Sequence, residues 1–303
     1  MDIGYLDLLD ALLLDGVSRL GEAFVARQVA FVRSAQRADG GFPGRLGPSD
    51  PYYTDFALRI LMLGADATAA PRVAAYMDAL PHDDGDIVAA FSRLHATRLL
   101  RVLGQNVRAS QVHEAVWQRQ GMTAGGFVRP GGKEISAYQT FLAALCAEMC
   151  DRTLPQREAA VARIAALQRA DGGFSDLPSE TQGQTNSTAA AIAFMLMNGP
   201  LPPSVSHAAE FLLAMQAPDG GLRAHAGAPG GDLLSTFTGL LTLAGLDALP
   251  RLDLPALARF LRHLALPHGG FRAALADEDA DIEYTYYGLA TLAILKAALL
   301  TQT

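Results

Sequence analysis

The stretch QRADGGF at residues 36–42 contains the pattern that decides the fold. It recurs unchanged at residues 168–174 and as QAPDGGL at residues 216–222. Its core, Gly-Gly followed by Phe or Leu, occurs at residues 40–42, 125–127, 172–174, 220–222 and 269–271. The later copies lie 47 to 49 residues apart, and the first interval of 85 residues leaves room for a degenerate copy, HDDGDIVAAF at 82–91. A fixed period of this length is typical of repeat architectures, and the count predicts six repeats of about 48 residues.

Each repeat contains two helical patterns. The segments after the Gly-Gly turn are apolar around much of their circumference, near residues 51–65, 87–103, 134–150, 184–198, 232–246 and 281–300. The segments before it are amphipathic, near 18–36, 70–80, 109–120, 155–168, 203–216 and 253–265. A helix that is apolar all round is buried, and an amphipathic helix lies outside it. The alternation of a β-strand is absent from the sequence pattern.

This pattern predicts an all-α fold, a closed (α/α)6 toroid with six inner and six outer helices. We expect it to form one domain over residues 1–303, with an extra N-terminal helix near residues 5–15. A short polar residue followed by Thr four positions later opens most inner helices. The pairs are Asp50 and Thr54, Ser136 and Thr140, Gln184 and Thr188, Asp232 and Thr236, and Asp281 and Thr285. Asp and Ser at these positions are predicted to cap their helices, because a short side-chain oxygen can accept from the first-turn amides.

Composition excludes several classes of protein. The 303 residues are 50% apolar with two Cys, which excludes a disordered chain and a disulfide-stapled mini-domain. A net charge of -7 provides no global basic field, so nucleic acid is not an expected partner. The start, MDIGYLDLLDALLLDG, lacks the basic region of a signal peptide. We therefore expect a soluble, cytoplasmic protein.

The repeats resemble the isoprenoid-handling toroids, the superfamily of protein prenyltransferase β subunits and of squalene and terpene cyclases. The resemblance covers about residues 20–300 and rests on the Gln-x-x-Asp-Gly-Gly-Phe signature, the repeat length and DIEYTYYGLATLAIL at 281–295. The first repeat, GGFPGRLGPSDPYYTDFALRILMLG at 40–64, is most similar to a geranylgeranyltransferase β subunit. The resemblance implies a prenyl diphosphate or another isoprenoid lipid as the ligand.

The resemblance also locates where prenyltransferases bind zinc. Their ligands lie at the starts of the fifth and sixth inner helices, where this chain has Asp232, Leu234 and Tyr284. Zinc needs three protein ligands of sulfur, imidazole or carboxylate type, and only Asp232 qualifies. We expect no metal site, no zinc and no other cofactor, and leave magnesium open. Ile135 replaces an Arg that recognises peptides in farnesyltransferase-like proteins, so peptide prenylation is not expected.

Cyclases that protonate an alkene use an acidic motif at the start of an inner helix, and the sixth repeat is the most similar. Asp281-Ile282-Glu283 follows Asp277 and Asp279 there. Crowded carboxylates beside a low-dielectric cavity raise the pKa of at least one of them. Glu283 is therefore the main candidate proton donor, with Asp281 and Asp279 as further catalytic candidates. The alternative is a capping Asp281 beside a solvated acidic loop.

Two further sets of residues are candidates for substrate binding. Aromatic faces can stabilise a passing cation, and first turns of inner helices contain Tyr52, Tyr53, Tyr138, Tyr284, Tyr286 and Tyr287. Beside the helix N-termini, where dipoles favour anions, lie Arg45, Arg129, Arg223 and Arg272, with Asp232. The alternative is that the arginines pair with nearby aspartates.

Three functions remain open at this point. The first is a non-canonical terpene cyclase-like enzyme that acts on a prenyl chain in the central cavity, by protonation-initiated cyclisation. The second is a zinc-independent prenyltransferase or β-like subunit that needs a helical partner. The third is a non-catalytic lipid-binding or interaction toroid. Peripheral contact with a membrane is a further expectation about its partners.

Overall fold

The computed structural model describes residues 4–81, 86–108, 125–154 and 156–298, and most of them are helical. The α-helices are α1 Tyr5–Ser18, α2 Glu22–Ser34, α3 Pro51–Leu63, α4 Ala70–Ala79, α5 Ile87–Val102, α6 Ala137–Met149, α7 Arg157–Ala165, α8 Thr185–Asn198, α9 Val205–Ala214, α10 Leu233–Gly245, α11 Leu254–Leu264 and α12 Ile282–Ala298. A short 3-10 helix spans Leu249–Arg251, and two strands are β1 Phe271–Arg272 and β2 Ala280–Asp281. The outer helix predicted near 109–120 and residues 82–85 of the degenerate copy lie outside the described residues.

The chain divides into two compact units. Unit 1 comprises Met1–Val112 and His263–Thr303, and there α3 packs between α5 and α12 while α1 packs against α12. Unit 2 comprises His113–Arg262, and there α8 packs between α6 and α10. In unit 2 each inner helix therefore contacts the next one along the chain, and in unit 1 the first inner helix contacts both the second and the last. The expectation of one domain over the whole chain stays a prediction.

Burial confirms the predicted division into inner and outer helices. The inner helix α8 has nine consecutive buried residues, Ser187 to Met195. The outer helix α2 buries only Gln28, Val29 and Val32. The two helices differ in burial because small uncharged residues, alanine, serine and threonine, lie on all sides of α8, whereas charged residues lie on one side of α2.

The Gln-x-x-Asp-Gly-Gly motif builds a tight turn that also contacts the following outer helix. The Gln168 amide donates to the carbonyls of Gly172 and Ser204, each at 3.0 Å. The Asp171 carboxylate accepts from the Gly173 amide at 3.0 Å. Gly172 has a φ of 91°, and a Cβ there would lie 2.5 Å from the His207 carbonyl oxygen, so only glycine fits. Each motif therefore joins its own hairpin to the next one.

The last of these turns is completed by the first outer helix of unit 1. The Gly270 amide donates to Gln28 Oε1 at 2.8 Å across 242 residues of sequence. A Cβ on Gly269 would lie 2.5 Å from the Arg27 carbonyl oxygen. The sixth repeat thus depends on α2 in the way that earlier repeats depend on the helix that follows them.

The recurring threonine fixes each turn to its inner helix. Its hydroxyl oxygen accepts a hydrogen bond, 2.8 to 3.1 Å long, from the buried amide of the Phe or Leu that ends the motif. The five threonines are Thr54, Thr140, Thr188, Thr236 and Thr285, and all are fully buried. This contact explains why a threonine follows the first polar residue of the inner helix by four positions, a spacing to which the sequence alone assigned no role.

The predicted Asp and Ser helix caps are confirmed at all four positions. Asp50, Ser136, Asp232 and Asp281 each accept from an amide in the first turn. Gln184 is different, because its longer side chain makes no capping bond and donates instead to Glu180 Oε2 at 3.3 Å. Capping is therefore confined to the short side chains for which it was predicted.

A small amount of sheet was not expected from the sequence. Strands β1 and β2 pair antiparallel, with Phe271 opposite Asp281 and Arg272 opposite Ala280. Equivalent turns contain isolated bridges, as between Gln168 and Phe174. Two residues are too few for an alternating pattern to appear in the sequence.

Candidate functional site

Glu283 lies in the first turn of α12, between two tyrosines of unit 1. Its Oε1 accepts from the Tyr52 hydroxyl at 2.7 Å and from the Tyr287 hydroxyl at 3.3 Å. Burial raises the pKa of Glu283, and the charge of Asp281 adds to this effect, while the two tyrosine hydrogen bonds oppose it. Since both hydroxyls meet Oε1, a proton on this carboxyl belongs on Oε2.

The other acids of the sixth repeat have different surroundings. Asp281 caps α12 through the Tyr284 amide at 2.8 Å and accepts from Arg45 Nε at 2.7 Å. Arg45 also pairs with Asp277, and the hydrogen bond from Arg45 lowers the pKa of Asp277 to about 2. Asp279 has an exposed side chain, and its backbone carbonyl accepts from Arg45 at 3.2 Å. Asp277 and Asp281 therefore hold a loop arginine, whereas the hydrogen bonds to the Glu283 carboxyl come from tyrosines.

Aromatic rings surround Glu283 on α3 and α12. Phe56 touches Tyr52, Tyr286 and Tyr287, with ring centroids 5.0 to 5.5 Å apart. Tyr52 also meets Tyr53 at 5.2 Å, and Tyr284 meets Tyr287 at 6.1 Å. Burial raises the pKa of Tyr286 to about 12 and also raises the pKa of Tyr53. Five of the six tyrosines predicted from sequence thus form one cluster around the acid.

A buried charged group adjoins this cluster and was missed in the sequence. Asp55 on α3 binds Arg59 through its carboxylate, and its Oδ1 lies 2.7 Å from His95 Nδ1 on α5. Burial acts to raise the pKa of Asp55, but Arg59 and His95 outweigh it and hold that pKa below the usual value. The guanidinium carbon of Arg59 lies 4.6 Å from the Phe56 ring centroid. The available signal was Asp and Arg four residues apart in an otherwise apolar inner helix.

The remaining predicted residues are engaged elsewhere. In unit 2, Asp176 accepts from the Tyr138 amide at 2.9 Å and pairs with Arg129 at 2.5 Å. The Tyr138 side chain is 40% exposed, and the Arg223 carbonyl accepts from a threonine hydroxyl. Asp232 caps α10, and burial raises its pKa. In unit 1, Arg272 donates to the Asp277 carbonyl at 3.1 Å and to the His263 carbonyl.

The prenyltransferase zinc site does not fit these residues. Asp232 directs one carboxylate oxygen to the Ser235 amide at 2.8 Å, and Leu234 has no ligating atom. Across the described ranges, no group of three His, Cys, Asp or Glu side chains could hold a metal ion.

No helix in the described part of the chain is long and apolar enough to cross a bilayer. A cytoplasmic location, a helical partner subunit and peripheral membrane contact stay predictions.

Comparison with known proteins shows what the chain is similar to. A family model described as prenyltransferase alpha-alpha toroid domain matches residues 3–209 and 201–302. The type II terpene cyclase MstE from Scytonema, in complex with geranylgeranyl dihydroxybenzoate, is 14% identical with a TM-score of 0.62, over 95% of this chain and 99% of that chain. Protein geranylgeranyltransferase-I from Candida albicans, complexed with GGPP, is 15% identical with a TM-score of 0.51, over 95% and 83%.

A protein that acts on carbohydrate has the same fold. The α-1,6-mannanase GH76A of Salegentibacter sp. HEL1_6, in complex with α-1,6-mannotetrose, is 14% identical with a TM-score of 0.58, over 92% of this chain and 99% of that chain. No curated protein matches the chain. These likenesses confirm the predicted α/α toroid, and the spread of activities means that function must be argued from the site.

Proposed function

The chain belongs to the prenyltransferase alpha-alpha toroid domain family, and from this premise we propose that it acts on an isoprenoid chain, with Glu283 as the proton donor to an alkene. The observation that carries the proposal is the shielded carboxyl of Glu283, whose Oε1 accepts from Tyr52 and Tyr287. Two of the structural relatives are in complex with isoprenoid compounds, geranylgeranyl dihydroxybenzoate and GGPP, which supports an isoprenoid ligand.

The proposed reaction begins with Glu283 in its neutral form. Burial favours that form because it penalises the charged carboxylate. The bond from Oε2 to its proton breaks as a carbon–hydrogen bond forms on the alkene, which leaves a carbocation and a Glu283 carboxylate. The tyrosine hydroxyls then stabilise that carboxylate through Oε1. Nearby tyrosine rings stabilise the carbocation by about 0.5–2 kcal/mol per contact. Loss of a proton from the carbocation to water gives a product that is an isomer of the substrate, and a proton from solvent returns to Glu283 Oε2 to restore the acid.

A specific observation favours a second function, isoprenoid binding without cyclisation. The Arg59 guanidinium lies 4.6, 5.1 and 5.6 Å from the ring centroids of Phe56, Tyr286 and Phe91. A cation of the protein itself therefore occupies faces that a carbocation would use. The Arg45 guanidinium likewise lies 5.9 Å from the ring centroid of Tyr284.

An experiment in deuterated water tests the proposal. Purified protein is incubated with C10–C30 prenyl diphosphates, the corresponding prenols and squalene, and extracts are analysed by gas chromatography and mass spectrometry. Protonation by Glu283 predicts an isomer that has gained one deuterium, because the carboxyl exchanges with solvent. Zinc-independent prenyl transfer would give a transfer product without that deuterium, and binding alone would return the substrate unchanged.

Variants connect this result to the residue. Glu283→Gln should retain the fold and ligand binding but abolish deuterium incorporation, because the amide keeps the shape and lacks the acidic proton. Glu278→Gln, an exposed carboxyl before the same helix, is the matched control and should react as the wild type does. Turnover should fall as pH rises through the raised pKa of Glu283. If Glu283→Gln reacts at the wild-type rate, the assignment of the acid is wrong.

A further inference from the structure

The buried group formed by Asp55, Arg59 and His95 has no role in the proposed protonation. The Asp55 carboxylate is 1% exposed, and its two oxygens are divided between its two partners, Oδ2 to Arg59 and Oδ1 to His95. Burying three polar side chains between inner helices is costly unless each is paired. Two of them are.

His95 is paired on one side only. Its Nδ1 lies 2.7 Å from Asp55 Oδ1, and its ring stacks on Phe91 with centroids 5.5 Å apart and planes 7° from parallel. His95 is 2% exposed, and its Nε2 is buried without a hydrogen-bond partner among the residues the structure describes. A buried polar atom without a partner is uncommon and needs an explanation.

The contact with Asp55 determines what Nε2 can do. In a neutral imidazole the nitrogen that faces a carboxylate carries the proton, so Nδ1 donates to Asp55 Oδ1. This arrangement leaves a lone pair on Nε2, which can accept a hydrogen bond but cannot donate one.

We propose that His95 is a binding residue that accepts a hydrogen bond from a hydroxyl group of the isoprenoid ligand. The inference rests on the proposed function for the isoprenoid nature of the ligand. It narrows the ligand class to hydroxylated isoprenoids, such as a prenol or a chain with a hydroxylated head group. A diphosphate does not supply the hydrogen-bond donor that Nε2 needs, because its oxygens are acceptors. Arg59 already binds Asp55 and so is not available to pair with a diphosphate.

The location agrees with a ligand that extends along the aromatic cluster. Phe91 stacks on His95 and lies against Arg59, and Arg59 lies over Phe56, whose ring meets Tyr52 of the Glu283 site. A continuous set of side chains in unit 1 thus joins the proposed acid to the proposed hydroxyl acceptor. One end would protonate an alkene and the other would hold the polar end of the same molecule.

The test compares the binding of three probes to wild-type protein by titration calorimetry: farnesol, farnesyl methyl ether and farnesyl diphosphate. The ether has the same chain but no hydroxyl proton, so it leaves Nε2 without a partner. We expect farnesol to bind about 5- to 100-fold more tightly than the ether. In His95→Asn, whose amide can still donate to Asp55, the ratio should fall to about one. Ser92→Ala, which removes another buried polar group from α5, should keep the wild-type ratio.

A second measurement does not depend on any variant that may unfold. Nitrogen-15 NMR of the histidine rings should show His95 with a proton on Nδ1 and none on Nε2 at neutral pH. A ring with its proton on Nε2, or protonated on both nitrogens, overturns the proposal.

The binding results separate this inference from the proposed function. Equal binding of farnesol and its ether to wild type, or an unchanged ratio in His95→Asn, overturns the role of His95 and leaves the Glu283 experiment unaffected. Tighter binding of the diphosphate than of farnesol overturns the hydroxyl assignment. If none of the three probes binds, the inference fails, whereas the Glu283 proposal is decided by the deuterium experiment over C10–C30 chains.

Discussion

Replacing Thr188 by valine tests how the repeat turns are held. Valine has nearly the same shape as threonine but lacks the hydroxyl that accepts from the Phe174 amide at 2.8 Å. The Gln184 carbonyl loses the hydroxyl as a donor but keeps the Thr188 amide at 2.9 Å. The net change is therefore one buried amide without a partner, which costs about 1–3 kcal/mol in free energy of unfolding.

The matched control removes a hydroxyl of another kind. In Thr242→Val, also in unit 2, the lost hydroxyl donates to the Thr238 carbonyl one turn back and accepts from no buried amide of a turn. Such a contact adds little to helix stability, so the control should change the free energy of unfolding by less than about 0.5 kcal/mol. Urea unfolding, followed by circular dichroism, measures both variants. Equal losses would show that the turn contact is not what threonine contributes.

Three further outcomes follow from the same geometry. Because the pKa of Asp277 is lowered to about 2, its contribution to the free energy of unfolding should be complete above about pH 4 and disappear as pH falls through about 2. In thermal melts, Asp277→Asn should therefore lose less stability than the wild type over this pH range. Gly16→Ala should loosen α1 and speed its cleavage by protease, since the new Cβ would lie 2.1 Å from a backbone oxygen of α12, whereas Gly21→Ala, with nothing within 4 Å, should not. Tyr52→Phe removes a hydrogen bond that lowers the pKa of Glu283, so infrared titration of that carboxyl should show a still higher pKa; an unchanged value would remove Tyr52 from the site.

The parts of the fold that sequence predicted are those governed by local rules. The inner helix near 184–198 was recognisable because its apolar residues continue around the helix, and the observed helix is Thr185–Asn198. The turn at 168–174 was recognisable because glycines and a short acidic side chain satisfy the backbone within a few residues. The hydrogen bond from Gln184 to Glu180 was not predictable, because it depends on the path of the preceding loop.

The candidate site was predictable only in part. The first-turn tyrosines and Glu283 followed from repeat positions and from the resemblance to cyclases. The contact between Tyr52 and Glu283 joins residues 231 positions apart, and the contact between Asp55 and His95 joins residues 40 positions apart. Such pairs depend on which helices pack together, and a single sequence contains no local signal of that packing.

The bond from Gly270 to Gln28 also sets the order of events while the chain is being made. The ribosome releases α2 early, but the turn that α2 completes follows 242 residues later. At a synthesis rate of about 5–20 residues per second, this delay is about 12–50 s. During that time the apolar face of α2 that receives the last turn lacks that partner. The newly made chain therefore exposes an apolar surface that other nascent chains and chaperones can bind. Unit 1 can therefore be completed only near the end of synthesis, however fast its individual helices form.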